Sequence, residues 1–183
     1  MRVSAAALVT LAAAWGLWMV PFFGLSKGVA AQTIDKRARW GIALEGVGFF
    51  FVWSAWAWAA ATPWWRWAAA LPFLAAGPLL TWTSARTLGR QWRFDAGLNA
   101  DHRLVQEGSY RIVRHPIYAS MLAMLLGTGL LLTRLRFLAI AAVFFLAGTE
   151  IRVRIEDALL ASRFGSVFDA YRARVSAYIP FVR

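Results

Sequence analysis

Two polar segments of this chain carry side chains that could do chemistry. One spans residues 99–118 and leads into a long apolar run, and the other spans residues 150–181. In the second segment Arg152 and Glu156 are four residues apart, so on a helix they would share one face. Such a couple either forms an ion pair or faces a charged ligand together.

The first segment places Arg111, Arg114 and His115 shortly before a helix that begins at Pro116. Proline is best tolerated at the first helical position, where its missing N–H would have no partner. A helix N-terminus carries partial positive charge and unpaired N–H donors, to which the arginines add full charges. The pattern therefore predicts a site for an anionic group. Anchoring of the helix to phospholipid headgroups explains the arginines equally well.

Two further patterns occur in residues 150–181. Arg154 and Asp157 have the spacing of a helical pair, for which an ordinary surface salt bridge is the default interpretation. Farther along, apolar residues recur at intervals of four and three, which predicts an amphipathic helix that ends at Pro180. This helix would lie on the membrane surface or cover the site. Its stripe consists of Phe164, Phe168, Tyr171, Val175 and Tyr178.

The elements that position these segments are predicted to be membrane helices. Hydrophobic residues make up 60% of the 183-residue chain and charged residues 16%, which is too apolar for an ordinary soluble domain. Four stretches lack Asp, Glu, Lys and Arg and have roughly the 20 residues that a bilayer-crossing helix needs. A fifth, shorter stretch requires a helix that continues past Glu150. The five stretches are residues 3–26, 46–65, 67–85, 115–133 and 137–149.

The basic residues predict the orientation in the membrane. If residues 86–114 are cytoplasmic, sixteen of the twenty Lys and Arg residues lie on that side, in agreement with the positive-inside rule. We therefore expect a protein of the cytoplasmic (inner) membrane with its N-terminus outside and its C-terminus inside. The net charge of +11 does not indicate nucleic acid, because the basic residues are spread over the interhelical segments.

The composition also excludes several kinds of site. The chain has no cysteine, so disulfides, thiol catalysis and cysteine metal sites are excluded. Two histidines, His102 and His115, are too few for a histidine metal cluster, and we expect no metal. Six tryptophans between residues 53 and 67 are better explained as an interfacial aromatic belt than as a haem or quinone site.

Several short motifs follow one another in the second half of the chain. They are His102-Arg103-Leu104-Val105, Gly108-x-Tyr110, Arg114-His115-Pro116-x-Tyr118, Arg152 with Glu156-Asp157, Phe164-Gly165, Tyr171 and Ile179-Pro180. In this order and spacing they resemble the isoprenylcysteine carboxyl methyltransferase family, over residues 88–180. The related phospholipid N-methyltransferases share the Arg-His-Pro element.

The resemblance implies a membrane enzyme that uses S-adenosylmethionine as cofactor, with the cofactor in a cytoplasmic pocket and a lipophilic substrate entering from the lipid bilayer. It implies that Arg152 and Glu156 are catalytic and that Arg152 and Arg114 bind substrate. The cofactor contacts that it implies are His102, Arg103, Leu104, Val105, Tyr110, His115, Pro116, Ile117, Tyr118 and Glu156.

Three positions depart from the pattern that the family usually shows. Ser109 stands where proline is common, Ser120 replaces a glycine, and Asp157 replaces the second of two glutamates. None of the three removes an implied cofactor contact. Ser120 and Asp157 could alter the pocket, so they bear on the identity of the substrate.

Carboxylate methylation suits these residues, because an ionised carboxylate attacks a sulfonium methyl without a general base and needs only alignment and removal of water. The planar fork of an arginine can orient such a carboxylate. A phospholipid or small amine acceptor would need a base, for which Glu156, Asp157 and His115 are the nearby candidates. A thiol acceptor, a sterol-reductase-like enzyme that uses NADPH and a non-catalytic adaptor that binds anionic lipid remain alternatives.

The predicted architecture is a single all-α integral membrane domain over residues 1–183. It has about five transmembrane helices, a cytoplasmic loop and a C-terminal amphipathic helix. Residues 1–85 supply three N-terminal spans, and residues 86–183 form the cofactor-binding and catalytic half. The sequence predicts neither the methyl acceptor nor the oligomeric state, since Gly127 and Gly129 lack the spacing of the usual helix-dimer motif.

Overall fold

A computed structural model describes residues 3–24, 33–59, 61–89, 97–98 and 103–182. It confirms the helical fold class. The strands β1 (Thr33–Ile34) and β2 (Gly97–Leu98) form one short antiparallel pair. The helices of the described part are α1 (Ala5–Gly24), α2 (Ala38–Trp53), α3 (Trp64–Leu88), α4 (Pro116–Leu132), α5 (Leu135–Phe164) and α6 (Ser166–Arg174).

Among the described residues, two segments are long and apolar enough to cross a membrane, Ala5–Phe23 and Trp64–Leu88. Pro116–Leu132 is a shorter apolar helix. Large apolar side chains point outward from the bundle, as a lipid-facing surface requires. They include Val9, Phe23, Phe50, Leu79 and Val143. The number of five spans stays a prediction.

The predicted bounds of the second span, residues 46–65, are wrong. Helix α2 begins eight residues earlier, at Ala38, and ends at Trp53, where the extended backbone of Ser54 (φ −74°, ψ 119°) terminates it. The charge of Glu45 does not end the helix, because the carboxylate is buried against α5, where Arg152 and Thr149 donate hydrogen bonds to it. The predicted continuation of the fifth helix past Glu150 is confirmed, since α5 reaches Phe164.

At one end of the bundle, the connection between α2 and α3 is hydrogen-bonded to the turn between α4 and α5. The N–H of Ala59 donates to the carbonyl of Leu132 (2.7 Å), and the N–H of Arg134 donates to the carbonyl of Ala57 (2.9 Å). Arg66, which is 4% exposed, donates through one guanidinium nitrogen to the carbonyls of Gly129 (3.1 Å) and Thr133. A cation here is favoured by the partial negative charge at the C-terminus of α4.

Helices α1, α3 and α4 share a core that is tied by the hydroxyl of Ser120. This hydroxyl accepts hydrogen bonds from the indole of Trp18 (3.2 Å) and the hydroxyl of Thr81 (2.9 Å), and it donates to the carbonyl of Ile117 (2.6 Å). Polar side chains strengthen helix association in lipid in this way. Ser120 thus uses its hydroxyl to hold α1 and α3 against α4.

Helices α2 and α5 touch backbone to backbone. A Cβ atom built on Gly148 would lie 2.5 Å from the carbonyl oxygen of Gly41, and one built on Gly48 would lie 2.8 Å from the carbonyl oxygen of Ala141. Real Cβ atoms do not approach backbone so closely, so these positions need glycine. We call this contact the glycine seam.

The prediction that the C-terminal helix extends to Pro180 is wrong. Helix α5 ends at Phe164, where Gly165 with φ +54° terminates it, and α6 ends at Arg174 because Val175 is extended (φ −117°, ψ 127°). Within α6, Phe168 and Tyr171 are buried, as the stripe predicts. The helix stops early because the next residues bond to the segment before α4 instead.

Substitution of Gly148 by alanine should destabilise the protein, since the added methyl group collides with the backbone of α2. Overpacking of a core costs about 1–3 kcal/mol, and for a chain of this size the melting temperature falls by roughly 2–4 °C per kcal/mol. Thermal unfolding in detergent, followed by tryptophan fluorescence, measures the change.

Gly46→Ala is the matched control, because Gly46 also lies in α2 and a Cβ atom added to it would meet nothing within 4 Å. Alanine favours helix over glycine by about 0.5–1 kcal/mol, so the melting temperature of this variant should stay or rise. Equal melting temperatures for the two variants would contradict the glycine seam.

Candidate active site

The segment before α4 is held by the C-terminal residues. Gly108, with φ +57°, opens a tight turn, and the chain then runs through Val113 beside Ser176. The N–H of Arg114 donates to the carbonyl of Ser176, and the N–H of His115 donates to the carbonyl of Ala177, both at 2.8 Å. These bonds fix the backbone of the residues that carry the predicted cationic groups.

His115 precedes α4 and lies between two carboxylates of α5. Its Nε2 is 2.8 Å from Oδ1 of Asp157, and its Nδ1 is 3.2 Å from Oε2 of Glu156. Burial disfavours the charged imidazolium, but the hydrogen bonds and charges of Asp157 and Glu156 outweigh this effect and raise its pKa to about 9. At neutral pH the ring therefore carries a proton on both nitrogens and donates to both carboxylates.

Asp157 also accepts a hydrogen bond from Arg114. The distance from the guanidinium to Oδ2 of Asp157 is 2.9 Å, and the same guanidinium donates to the carbonyl of Val175. Burial opposes ionisation of Asp157, but its bonds to His115 and Arg114 lower its pKa below the usual value. The default pairing of Asp157 with Arg154 is wrong, because Arg154 pairs with Glu150 on the exposed side of α5 (2.8 Å).

Tyr118 links the two predicted catalytic residues. Its hydroxyl donates to Oε1 of Glu156, and its ring lies under the guanidinium of Arg152, with 4.6 Å between the guanidinium carbon and the ring centroid. Tyr118 is 4% exposed, so both contacts are shielded from water. A cation over an aromatic face is stabilised more strongly when it is desolvated.

Arg152 forms its ion pair with Glu45 of α2. The distance from the Arg152 guanidinium to Oε2 of Glu45 is 2.7 Å, and Oε1 of Glu45 accepts a hydrogen bond from the hydroxyl of Thr149 at 3.0 Å. Arg152 and Glu156 lie on one face of α5, as their spacing predicts, with Tyr118 in contact with both.

These groups form one network, which we call the ionic cluster. Each buried charge in it has an opposite charge within hydrogen-bonding distance, as burial of charge requires. With His115 protonated, three cations face three anions. The members are Arg114, His115, Arg152, Glu45, Glu156 and Asp157.

The other predicted cofactor residues surround the segment before α4. Tyr110 is buried, and its carbonyl accepts a hydrogen bond from the hydroxyl of Tyr171 (2.6 Å). Pro116 is the first residue of α4, as predicted, while Ile117 packs against the core shared with α1 and α3. Arg103 is exposed and Leu104 and Val105 are half-buried, whereas His102 lies outside the described residues.

The sequence interpretation missed Glu45 and Thr149. Glu45 is a lone carboxylate within an otherwise apolar stretch, with Gly41 four residues before it and Gly48 three residues after it. An ionisable residue inside a membrane helix, next to small residues that allow close packing, is a functional candidate by default. The hydropathy prediction treated Glu45 only as the end of a span, so this signal was overlooked.

A cleft of about 170 Å³ opens beside Arg114 and Asp157. Its walls come from α5 and from the C-terminal residues, so the segment after α6 covers this side of the ionic cluster. The lining residues are Arg114, Glu150, Val153, Arg154, Asp157, Ala177, Tyr178, Ile179 and Val182.

Comparison with known proteins agrees with the family resemblance of the sequence motifs. The model of the isoprenylcysteine carboxyl methyltransferase family matches residues 69–162, just over half of the chain. The protein-S-isoprenylcysteine O-methyltransferase of Schizosaccharomyces pombe is 38% identical over 88 residues, which are 46% of this chain and 36% of that protein. The protein-S-isoprenylcysteine O-methyltransferase B of Arabidopsis thaliana is 32% identical over 122 residues, 65% of this chain and 61% of that protein.

A third relative is named for metal resistance and not for methyl transfer. The cobalt-zinc-cadmium resistance protein CzcN of Cupriavidus metallidurans is 34% identical over 99 residues, 53% of this chain and 45% of that protein. The chain spans less than two thirds of the length of each of these three relatives.

The ionic cluster makes stability depend on pH in the alkaline range. His115 binds its proton more tightly when folded, with a pKa of about 9 against an ordinary value of 6.5. Its contribution is therefore complete below pH 6.5 and is lost as pH rises through about 9. We expect the melting temperature to fall across this interval.

His115→Gln isolates this effect, because glutamine does not titrate. The difference in melting temperature between the native chain and this variant should shrink from pH 6.5 to above pH 9. A difference that is constant or grows with pH would show that His115 is not protonated between its two carboxylates.

Proposed function

The chain belongs to the isoprenylcysteine carboxyl methyltransferase family, and on this premise we propose that it is a membrane methyltransferase. It transfers a methyl group from S-adenosylmethionine to the carboxylate of a lipophilic, prenylcysteine-like acceptor. The position of His115 between Glu156 and Asp157 is the observation that carries this choice of acceptor.

The protonation state of the ionic cluster distinguishes between an amine and a carboxylate as the methyl acceptor. An amine must lose a proton to a base at some stage of its methylation, whereas a carboxylate is already ionised at neutral pH. His115 already carries its second proton, and Glu156 and Asp157 each accept hydrogen bonds from neighbouring donors. The arrangement offers no ready base, so it favours a carboxylate over a phospholipid amine.

The residues present fit a sulfonium cofactor. S-adenosylmethionine, when bound, supplies an electrophilic methyl group on a sulfonium cation. The carboxylates Glu156 and Asp157 can accept hydrogen bonds from hydroxyl or ammonium groups, and the rings of Tyr110 and Tyr118 suit a cation. We assign its binding to the residues that the family resemblance indicates: 102–105, Tyr110, 115–118 and Glu156.

Arg152 binds and orients the acceptor in this proposal. Its guanidinium lies over Tyr118 at the buried end of the ionic cluster, where a carboxylate gains two charge-assisted hydrogen bonds. For Arg114, the second arginine assigned to substrate, the bonds to Asp157 and Val175 support a role in holding the C-terminal segment over the site.

Burial of the site contributes to the rate. Methyl transfer from a sulfonium to a carboxylate neutralises opposite charges, so exclusion of water favours the transition state over the separated ions. Tyr118 and Arg152 are both less than a tenth exposed, at 4% and 8%. The protein aligns the reacting groups and keeps the site dry, and it need not move a proton.

We propose the same placement in the membrane that the sequence predicts. The N-terminus is outside, and the site faces the cytoplasm at the inner membrane, with the acceptor entering from the bilayer. Strand β1, which Lys36 and Arg37 closely follow, pairs with β2 from the connection between α3 and α4, and this arrangement supports the proposed cytoplasmic side.

Binding of S-adenosylhomocysteine to the detergent-solubilised chain tests the cofactor. Calorimetry should give a micromolar dissociation constant, and Glu156→Ala should weaken it by roughly tenfold or more, the effect of about 1.4 kcal/mol. Glu150→Ala is the matched control, because this glutamate lies on the same helix in an exposed pair with Arg154. No binding to well-folded protein would refute the methyltransferase proposal, and binding of NADPH instead would favour a reductase.

Transfer of a radiolabelled methyl group tests the acceptor. An S-prenylated, N-acetylated cysteine should become labelled, and alkali should release the label because the product is an ester. The same compound with a carboxamide in place of the carboxylate is the control and should stay unlabelled. Label in a lipid amine that survives alkali would contradict the proposed acceptor.

A further inference from the structure

Glu45 is a buried carboxylate that the proposed reaction does not use. It is 2% exposed, and it lies outside residues 69–162, the part that matches the family model. Burial of a carboxylate among apolar helices costs free energy. A buried ion pair gives little or no net stability compared with apolar side chains of similar volume. Stability alone therefore does not explain a carboxylate at this position.

Both carboxylate oxygens of Glu45 have partners on α5. Oε2 accepts a hydrogen bond from the guanidinium of Arg152 at 2.7 Å, and Oε1 accepts one from the hydroxyl of Thr149 at 3.0 Å. The carboxylate is thus attached at two points, so its position relative to α5 is fixed. Thr149 and Arg152 are three residues apart and present both donors from one face of the helix.

Tyr118 holds the same guanidinium on a different side. The guanidinium carbon of Arg152 lies over the Tyr118 ring, 4.6 Å from its centroid, while Nη1 of the same group donates to Oε2 of Glu45. Contacts with two different residues together restrict the orientation of the group. The plane matters because arginine binds a carboxylate through two parallel hydrogen bonds only in a narrow range of orientations.

The glycine seam brings the two helices close enough for this bond. A Cβ atom on Gly148 would lie 2.9 Å from the backbone nitrogen of Glu45, and one on Gly41 would collide with Cγ of Arg152. Glycines on both helices therefore make room for the side chain of Arg152 and bring Glu45 beside it. The short distance follows from the packing of the backbones.

We propose that Glu45 is a positioning residue that orients Arg152 for binding of the acceptor carboxylate, an inference that rests on the function proposed above. Glu45 acts through Arg152 and not through the groups assigned to the cofactor. Its loss should therefore weaken use of the acceptor and leave cofactor binding unchanged. A purely structural ion pair would instead lower stability without a selective effect on the acceptor.

Glu45→Gln tests the proposal with little change of shape, because it removes the charge and keeps an oxygen that can accept from Arg152. We expect the KM for the acceptor to rise roughly tenfold, because a hydrogen bond to a neutral amide is about half as strong as one to a carboxylate and orients the guanidinium less firmly. The dissociation constant of S-adenosylhomocysteine should stay within about twofold of the native value. The purified 183-residue chain in detergent is used throughout.

Two further variants separate the contribution of the Glu45 charge from that of the Thr149 hydrogen bond. Thr149→Val removes the second hydrogen bond to Glu45 and leaves the ion pair, so we expect a smaller rise in KM. Glu45→Asp keeps the charge on a shorter side chain and should recover part of the loss. If Glu45→Gln does not fold, Glu45→Asp and Thr149→Val carry the test, since both must then raise the acceptor KM without weakening cofactor binding.

Modification of arginine by phenylglyoxal reports on Arg152 without any need for activity. Peptide mapping gives the rate at Arg152, which should rise several-fold in Glu45→Gln because a neutral amide holds the guanidinium less firmly than the carboxylate does. Exposed Arg154 on the same helix is the internal control and should react equally in both proteins. This readout moves only if Glu45 restrains Arg152.

The two readouts distinguish failure of this inference from failure of the proposed function. An unchanged acceptor KM together with an unchanged rate of Arg152 modification in folded Glu45→Gln would overturn the positioning role. If the native chain transfers no methyl group, the proposed function fails, and the modification rate still decides whether Glu45 restrains Arg152. Equal rates would then refute the inference as well.

Discussion

The structure depends on the requirement that a charge removed from water must be paired with an opposite charge or hydrogen-bonded to polar groups. Arg152 lies in a bundle of apolar helices, where Glu45, 2.7 Å away, supplies an opposite charge that makes its burial tolerable. That distance requires close contact of α2 and α5, which in turn requires glycine at positions 41 and 148. The same rule applies to His115, whose two carboxylates keep it charged in a buried position.

Helix positions that depend on local pattern could be predicted from the sequence. Helix α4 differs from the predicted stretch 115–133 by a single residue at each end, because a proline starts it and no charged residue interrupts it. The start of α2 could not be predicted from hydropathy, since a charged residue there is neutralised by a partner 107 positions away. Counting charges along the chain treats such a residue as the end of a span.

In the site, too, short sequence motifs were predictable, whereas pairs between residues far apart in the sequence were not. Family motifs indicated His115, Tyr118, Arg152 and Glu156, and the structure brings these four together. Spacing alone could not identify the partner of Asp157, because a residue three positions away and one 43 positions away are both available to it. Long-range pairs are decided by helix packing, which a single sequence does not display.

The backbone bonds from Arg114 and His115 to Ser176 and Ala177 have a consequence for the biosynthesis of the protein. Chains are made from the N-terminus, so the residues of α1 to α5 leave the ribosome before residues 176 and 177 do. The segment that carries His115 gains its last backbone partners only then. A nascent chain therefore has its helices without a finished site, and the site is completed by one of the last steps of folding.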